Sequence, residues 1–230
     1  MSTIAPVSGQ RPQDPTAPPA PGPAQRRSAW RHGDLRRALL EVGLELARAG
    51  GPDAVVLREA TRRAGVVPNA AYRHFADRAA LLGAVCAASQ TAVAVAMETE
   101  LARVPPDPDR VRLARARLRA IGLGYIGFAR AEPGLFRTAF SVPPDLRDAA
   151  DPNRAGNTGL TPFQLLSARL DELVAVGALP PERRPGAEVM AWSAVHGLAM
   201  LTIEGPLRSL DAEQARAVAQ RVLDMVEQGL

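Results

Sequence analysis

Apolar residues recur at helical spacing along most of this chain of 230 residues. In the clearest run, they lie alternately three and four residues apart, which places them on one face of a single helix: Val111, Ala114, Leu118, Ile121, Tyr125 and Phe128. No pair of segments has the alternating pattern of paired strands. The sequence therefore predicts an all-α fold.

Local start and stop signals predict where the helices lie. Asp34 is expected to cap a first helix with Leu35, Leu39, Val42 and Leu46 on its apolar face, and Gly50-Gly51-Pro52 ends it. Gly65 is a left-handed stop for a second helix that starts at Leu57. The other expected boundaries are a third helix from Pro68 to Phe75, a fourth capped by Asp77 with Leu81, Val85, Ala88, Ala92 and Val95 on its apolar face and lasting until Pro105, and helices at 163–177, 187–204 and 211–228.

The composition favours a protein with a substantial core outside any membrane. Hydrophobic residues make up 47% of the chain, whereas aromatic ones make up only 4%, so Ala, Leu and Val must fill most of the core. Cys86 is the single cysteine and cannot form an internal disulfide. Since no run approaches the roughly 18 apolar residues of a membrane span, and the N-terminus lacks an apolar signal core, we expect a cytoplasmic protein with no membrane partner.

Proline content and charge divide the chain. Residues 1–25 contain seven prolines and few bulky apolar groups, so residues 1–29 are predicted to be a disordered tail. Residues 26–78 hold 11 Arg and 6 acidic residues, whereas residues 79–230 hold 16 Arg and 17 acidic residues. The positive excess at 26–78 is typical of a surface that binds nucleic acid. Residues 143–162, rich in Pro, Asp, Asn and Gly, are predicted to form a mobile loop.

Residues 57–75 fit a helix-turn-helix, in which the second helix presents its N-terminal residues to base edges in the major groove. On that helix Phe75 and part of Tyr72 should face the core, while Asn69, Ala70, Arg73 and His74 point outward. Asn can pair with adenine and Arg with guanine. Tyr72, His74 and Arg78 suit phosphate oxygens. Arg62 and Arg63 fit either phosphate contacts or a solvated face.

The segment 57–82, with its Ala-Gly-Val, Tyr-x-His-Phe and Asp-Arg-x-x-Leu-Leu parts, resembles the TetR (tetracycline-repressor-like) family of transcriptional regulators. The resemblance covers residues 34 to about 90. It implies a helix-turn-helix DNA-binding domain at 30–83, joined by a long helix to a larger helical effector-binding and dimerisation domain at 84–230. It also implies a palindromic double-stranded DNA operator, and contacts to it from Arg58, Val67, Pro68, Asn69, Ala70, Tyr72, Arg73, His74 and Arg78.

Two positions depart from the family pattern. Val56 and Val67 stand where the family usually has Ser or Thr, and a valine side chain cannot accept from the free N–H groups of a helix start. We expect each lost cap to cost about 1 kcal/mol, and we hypothesise that Arg26, Arg27 and Arg31 compensate by contacting the minor groove. The alternative is a helical ligand-binding or interaction dimer that has lost specific DNA recognition.

The C-terminal half resembles the Trp…His-Gly subclass of the family in residues 191–201 and in Glu132-Pro133-Gly134-Leu135-Phe136. That resemblance implies a homodimer through the last two helices, at about 187–228, beside a pocket for an unknown small-molecule effector. Large or polar-tipped side chains are available to line such a pocket, although each of them also fits an ordinary core position: Tyr125, Phe128, Phe136, Phe140, Trp192, His196 and Met200.

One motif suggests an enzyme and is rejected on its context. Gly122-Leu-Gly124-Tyr-Ile-Gly127 matches the dinucleotide fingerprint, but it follows no strand and lies within the helical repeat. Glycines that allow close helix packing explain it better. No cluster has the spacing of metal ligands, and no nucleophilic triad can be placed. We therefore predict a regulator, by family habit a repressor, with no catalytic residues, cofactor or metal.

Overall fold

The computed structural model describes residues 32–142 and 150–230, with side chains from residue 35 onward. Within these ranges the protein is all-helical, with nine α-helices and no strand, as predicted. The predicted tail at 1–29, including Arg26 and Arg27, lies outside the described residues, as does Arg31. The helices are α1 (His32–Gly50), α2 (Leu57–Ala64), α3 (Pro68–Tyr72), α4 (Arg78–Leu101), α5 (Arg110–Ala131), α6 (Pro133–Ala139), α7 (Pro162–Ala175), α8 (Ala187–Ile203) and α9 (Ala212–Gly229).

Helices α1 to α3 and the start of α4 enclose a small hydrophobic core. The predicted apolar face of α1 is confirmed: Leu35, Leu39 and Leu46 are buried there, with Val42 packed against them. The expected cap is wrong, because the backbone is already helical at His32 and Asp34 lies inside α1. Gly50 ends α1 as predicted.

Helix α4 begins as predicted and ends earlier. The side chain of Asp77 accepts from the backbone N–H of Ala80 at 2.8 Å, so it caps α4. The helix stops at Leu101, since the chain turns at 102–103 before it reaches Pro105.

The buried face of α4 also differs from the prediction beyond Val85. Ser89, Val93 and Met97 are buried, whereas the predicted apolar positions Ala88, Ala92 and Val95 are only half-buried. Helix α4 packs against α1, α5, α6 and α7, so it is covered on several sides and a single apolar stripe does not describe it.

Its apolar composition corrects the expectation about membrane spans. Among the described residues, α4 is a helix that is long and apolar enough to cross a membrane by length and composition. In the structure, 44% of its most apolar stretch is buried inside the protein. The helix packs against α1, α5, α6 and α7, and these contacts account for its buried apolar side chains.

Helix α5 lies closely against α4. Gly124 allows this approach, because a Cβ atom built on it would lie 2.7 Å from both the carbonyl oxygen of Ala96 and the Cα of Met97. The predicted apolar face of α5 faces the larger core, with Ala114, Leu118, Ile121 and Tyr125 buried. The glycine motif therefore lies in the middle of a helix, where Gly124 allows close packing against α4.

The short helix α6 connects two hydrophobic cores. Leu135 is buried in the small N-terminal core, while its neighbour Phe136 is fully buried in the large C-terminal core. Arg48 of α1 also contacts Glu132, which immediately precedes α6. Helix α6 therefore contributes buried side chains to both cores.

The segment between α6 and α7 is described from residue 150, so residues 143–149 of the predicted loop lie outside the described residues. The rest of it is anchored on α4. The carboxylate of Glu98, itself buried, accepts from the backbone N–H groups of Asn157 and Thr158 at 2.8 and 2.9 Å. A single 3-10 turn, Pro152–Arg154, follows Asp151 and packs beside Thr91 of α4, whose hydroxyl donates to the Asn153 carbonyl at 3.2 Å.

Helices α7, α8 and α9 complete the larger core around α5. Thr161 and Asp211 form capping boxes at the starts of α7 and α9, in which each side chain accepts from the third residue of its helix. These helices begin and end within one or two residues of the predicted boundaries. The side chains that do not pack into either core remain on the surface of the protein.

Candidate nucleic-acid interface and ligand cavity

A tight turn joins α2 to α3. Gly65 adopts the left-handed conformation, with φ 69° and ψ 29°, as predicted. The Val66 N–H donates to the Thr61 carbonyl at 3.1 Å, and the buried Thr61 hydroxyl donates to the Arg58 carbonyl at 2.7 Å. These bonds fix the direction in which the chain enters α3.

Two apolar residues hold α3 against the small core. Ala71 is fully buried and Phe75 is 2% exposed, so the side of α3 that faces the protein is fixed. The guanidinium of Arg36 lies over the Phe75 ring, 5.2 Å from its centroid. Helix α3 ends at Tyr72, earlier than predicted, but the Phe75 N–H still donates to the Ala71 carbonyl at 2.9 Å. The chain leaves the helix there because Asp77 must be extended to cap α4.

The opposite side of α3 is open to solvent. Tyr72 is 56% exposed, more than the partly buried position expected of it. Ala70 and His74 are half-buried. The other predicted DNA contacts are exposed: Arg58, Val67, Pro68, Asn69, Arg73 and Arg78.

The two valines at the helix starts make no side-chain cap. Val56 precedes α2 and Val67 precedes α3, both in extended conformation, and neither side chain accepts a hydrogen bond. Both are also largely exposed, Val67 to 69%. These helix starts therefore rely on backbone bonds and packing alone.

Arg78 is engaged in the turn that precedes α2. Its Nε donates to the Val55 carbonyl at 2.9 Å, and its Nη2 donates to the Pro52 carbonyl at 2.8 Å. A guanidinium has five N–H donors, so three remain for other partners. Arg78 thus ties the first turn of α4 to the entry of α2, a role that the sequence did not indicate.

Glu59 pairs with both arginines at the end of α2. Its carboxylate accepts from Arg62 Nε at 2.8 Å and Nη2 at 2.7 Å, and from Arg63 Nε at 2.8 Å. These hydrogen bonds lower the pKa of Glu59 to about 2. The pairing favours the interpretation of Arg62 and Arg63 as a solvated, charge-balanced face over that of free phosphate contacts.

A hydrogen-bonded aromatic cluster lies between α5, α6 and α8. The Trp192 indole N–H donates to the Tyr125 oxygen at 3.0 Å, and that hydroxyl lies 2.8 Å from Nδ1 of His196. An indole nitrogen only donates, so the Tyr125 oxygen accepts from Trp192 and shares a second hydrogen bond with Nδ1 of His196. Burial raises the pKa of Tyr125 and lowers that of His196. Both groups are therefore neutral near pH 7.

The rings of α6 complete this cluster. The Phe136 ring centroid lies 5.2 Å from that of Tyr125 and 5.1 Å from that of Phe140, while Phe140 lies 5.1 Å from His196. Such edge and tilted contacts are favourable beyond the area they bury. Five of the predicted pocket residues are thus brought together in one network.

A cavity of about 430 Å³ lies beside the cluster, within the size range of small-molecule sites. Tyr125, Phe140 and Trp192 line it among the predicted residues. Most of the rest of the wall is apolar, including Leu118, Ile121, Phe163, Leu166 and Leu223 from α5, α7 and α9.

A second cleft of about 290 Å³ lies between α6, α8 and the α1–α2 turn. It is lined by Phe136, Phe140, His196 and Met200 of the predicted set, together with residues of the α1–α2 turn, Gly50, Pro52 and Asp53. Phe140 faces both spaces. Phe128 lines neither of them, because it packs between the two hydrophobic cores.

Two segments of the chain match known families. Residues 39–85 match the family described as bacterial regulatory proteins, tetR family, and residues 118–226 match the tetracyclin repressor-like, C-terminal domain. The two matches cover the helix-turn-helix and the larger core. The chain belongs to the TetR family. As a TetR-family protein it is a DNA-binding transcriptional regulator, and its helix-turn-helix is the DNA-binding unit.

Solved structures share this TetR fold. A protein with unknown function from Rhodococcus sp. RHA1 is 26% identical, with a TM-score of 0.67 over 89% of this chain and 99% of that one. A bacterial regulatory protein in the tetR family from Rhodococcus RHA1 is 17% identical, with a TM-score of 0.56 over 84% and 95%. The TetR family regulator PfmR from Thermus thermophilus is 18% identical, with a TM-score of 0.50 over 84% and 98%. No curated protein matches the chain significantly.

Sequence reasoning missed several residues of the main cavity in this TetR-family protein. Gln90 and Met97 come from α4, Arg154 from the 3-10 turn, and Thr161 and Phe163 from the start of α7. Only Phe163 carried a usable signal, as a large aromatic residue at a helix start. The others reach the cavity through tertiary contacts. In the described ranges, no group of three or more His, Cys, Asp or Glu side chains could hold a metal ion.

Proposed function

We propose that this TetR-family regulator is a cytoplasmic, homodimeric repressor that leaves a palindromic operator when a small molecule enters its main cavity. The observation that carries the proposal is the position of α6. Its residues Leu135 and Phe136 are buried in the two different cores, and Phe140 at its end lines the cavity. Occupation of the cavity therefore acts on the helix that also packs against α1.

The exposed side of α3 is the proposed base-reading surface. Asn69 and Arg73 are exposed on or beside a helix that is anchored by Ala71 and Phe75, and they carry the side chains that pair with adenine and guanine. The remaining proposed contacts position the helix on the duplex backbone or pack against it: Arg58, Val67, Pro68, Ala70, Tyr72, His74 and Arg78.

Exposed apolar residues support dimerisation through α8 and α9. Val189 and Met190 near the start of α8, Leu201 near its end, and Met225 on α9 are all more than two-fifths exposed. A pair of packed helices that exposes several large apolar side chains is a candidate for a protein interface. We propose that a second copy of the chain covers it, with the interface at about 187–228.

The two cores support a division into a DNA-binding domain at 30–83 and an effector and dimerisation domain at 84–230. The small core draws its buried residues from 35–85, with Leu135 as the one contribution from further along the described chain. The large core begins at Val93. Helix α4 runs through both and connects them.

Effector binding acts through a difference in affinity between two states of the dimer. Recognition helices about 34–36 Å apart fit successive major grooves on one face of the duplex. A ligand that binds better to a dimer with another spacing shifts the population away from the DNA-bound state. The protein needs no catalysis for this, so we propose regulation by binding alone, without metal or cofactor.

The test is selection of duplexes from a random library at near-physiological salt, followed by sequencing of those retained. We expect enrichment of one palindrome. Arg73→Ala should weaken binding to it and relax the preference at one position, by about 1–3 kcal/mol. Arg115→Ala, which removes an exposed arginine from α5, is the matched control and should leave selection unchanged.

Retention that is weak, salt-labile and independent of sequence would overturn the operator proposal. It would favour the alternative dimer without specific recognition, which the uncapped Val56 and Val67 suggest. The exposed Asn69 and Arg73 support the operator-binding function instead.

A further inference from the structure

The main cavity has a charged end. Among the described residues that line it, Arg154 is the only charged one. Its side chain is 16% exposed, and its Nε is buried with no hydrogen-bond partner. The nearest acid is Asp151, whose Oδ2 lies 3.4 Å from that Nε, while its Oδ1 accepts from the Asn153 backbone N–H and side-chain amide, both at 2.9 Å. The Asp151 carboxylate therefore neutralises the positive charge of Arg154 only in part.

The neighbouring polar group is an amide. Gln90 of α4 also lines the cavity and donates from Nε2 to the Ala139 carbonyl at 2.7 Å. The hydrogen bond from Thr91 to Asn153 holds the Arg154 turn beside this part of α4. Gln90 and Arg154 therefore mark one polar end, and mainly apolar side chains of α4, α5, α7, α8 and α9 form most of the rest of the wall.

An arginine in such a place suits one kind of ligand group. A guanidinium presents planar donors that match a carboxylate in a bidentate arrangement. The buried Nε of Arg154 has only the long contact of 3.4 Å to Asp151, and a ligand oxygen would give the guanidinium a closer partner. A cationic ligand would be repelled, and a headgroup with several negative charges would find only one positive side chain among the described lining residues.

We propose that the cavity binds an amphipathic monocarboxylate, with its carboxylate on Arg154 beside Gln90 and its apolar body along α5, α7 and α9. This rests on the proposed role of the cavity as the effector site. At about 30 Å³ per water-sized group, the volume of about 430 Å³ holds on the order of 14 non-hydrogen atoms. A fatty acid of medium length or an aromatic acid of similar size meets that limit.

The same contacts connect the carboxylate to α6. The Ala139 carbonyl, at the end of α6, accepts from Gln90 and also from the thiol of Cys86 at 3.1 Å. A carboxylate that draws Gln90 toward Arg154 competes with the bond to Ala139. The polar end of the ligand therefore acts at the end of the helix that spans the two cores.

The test is calorimetric titration of the full chain with decanoate, decan-1-ol and decylamine near neutral pH. These three probes have the same alkyl chain and differ in the charge of the headgroup. We expect decanoate to bind at least tenfold more tightly than decan-1-ol, and decylamine to bind least. Arg154→Gln should weaken decanoate binding by about tenfold to a hundredfold and leave decan-1-ol nearly unchanged.

Arg169→Gln is the matched control. Arg169 also has a buried Nε without a partner, and it pairs with Glu172 at 2.6 Å, but it does not line the cavity. Its removal should leave decanoate binding unchanged. Arg154→Lys, which keeps the charge and loses the bidentate geometry, should bind decanoate with intermediate affinity and guards against a folding defect in Arg154→Gln.

Equal affinity for decanoate and decan-1-ol, or equal loss in Arg154→Gln and Arg169→Gln, would overturn the carboxylate assignment and leave the cavity as an effector site. Absence of binding by all three probes to the wild-type chain would overturn the assignment too, and would also count against the proposed effector site. The two failures are therefore distinguishable.

Discussion

Arg48, near the end of α1, donates to Glu132, immediately before α6, with Nε and Oε2 2.8 Å apart. The pair joins the helix-turn-helix to the helix that contacts both cores. Its arginine side chain is 54% exposed, so solvent screens the interaction and it contributes at most about 1 kcal/mol to folding. Its effect should therefore lie in the coupling between the domains.

We expect Arg48→Gln and Glu132→Gln to leave the free energy of unfolding within about 1 kcal/mol of the wild type. Each should reduce the factor by which decanoate lowers affinity for the selected operator. Measuring that factor for both single variants and the double variant checks this, because residues that act as a pair are non-additive. Unchanged factors in all three variants would exclude a role for the pair in coupling.

Removal of Glu59 should strengthen DNA binding. Glu59→Gln frees Arg62 and Arg63 from their shared carboxylate, and each new phosphate contact steepens the logarithmic salt slope by about 0.9. Affinity measured from low to moderate salt should therefore rise at low salt for operator and random duplexes alike. Glu213→Gln, an exposed acid on α9, is the control. An unchanged slope in Glu59→Gln would show that neither arginine reaches a phosphate.

The pH dependence of this pairing follows from the lowered pKa of Glu59, about 2 in the folded protein. Its contribution to stability is complete above the ordinary pKa of a glutamate and is lost as the pH falls toward about 2. DNA affinity measured between pH 5 and 8 should therefore show no change that depends on Glu59. A titration in that range that disappears in Glu59→Gln would contradict the assignment.

Restoring a cap at α3 should stabilise the reading helix. Val67→Thr places a hydroxyl where the backbone is extended and no side chain now caps the helix, and a gain of up to about 1 kcal/mol is expected. Val56→Thr offers the same gain at α2. Thermal unfolding measures both, and only Val67→Thr should also raise DNA affinity. A lower melting temperature in either variant would show that the valine packs better than the cap bonds.

Two glycines of α5 should respond to alanine in opposite ways. A Cβ on Gly124 would lie 2.7 Å from backbone atoms of Ala96 and Met97, so Gly124→Ala should destabilise the protein by about 1–3 kcal/mol. A Cβ on Gly127 would meet no atom within 4 Å, so Gly127→Ala should gain up to about 1 kcal/mol in helix propensity. Denaturant unfolding of both variants checks the prediction. Equal effects would contradict the close approach of α4 and α5.

Arg78→Ala tests a role that the structure adds to the predicted phosphate contact. The variant loses the hydrogen bonds to the Val55 and Pro52 carbonyls, and because the side chain is about half exposed we expect a loss of about 1 kcal/mol in unfolding free energy. DNA binding should weaken uniformly across sequences. Unaltered stability with weaker binding would assign Arg78 to DNA alone.

Features that depend on a few neighbouring residues were predictable from the sequence. The left-handed stop at Gly65, the Asp77 cap and the boundaries of α2 follow from local geometry, and the structure confirms each of them. The cap at Asp34 failed although its signal was also local, because a helix can begin earlier wherever the preceding residues tolerate it. Local signals thus predict the presence of a helix more reliably than its first residue.

Features that depend on tertiary packing were less predictable. Ser89 and Met97 of α4 are buried because four helices pack against α4. The apolar periodicity of a sequence predicts only one packing face. Phe128 satisfies the apolar repeat of α5 and still lies outside both cavities, between the cores. Gln90 and Arg154 reach the main cavity from segments more than sixty residues apart, and nothing in either segment indicates the other.

The close approach at Gly124 packs α5 tightly against α4 near the C-terminal end of α4. At 1.5 Å per residue, the 24 residues of α4 span about 36 Å, from the turn after α3 to the end that carries Glu98. A tilt of about 5° around that far end displaces the beginning of α4 by roughly 3 Å. A ligand that tilted α4 by this amount would therefore move the reading helix by a distance comparable to the length of a hydrogen bond.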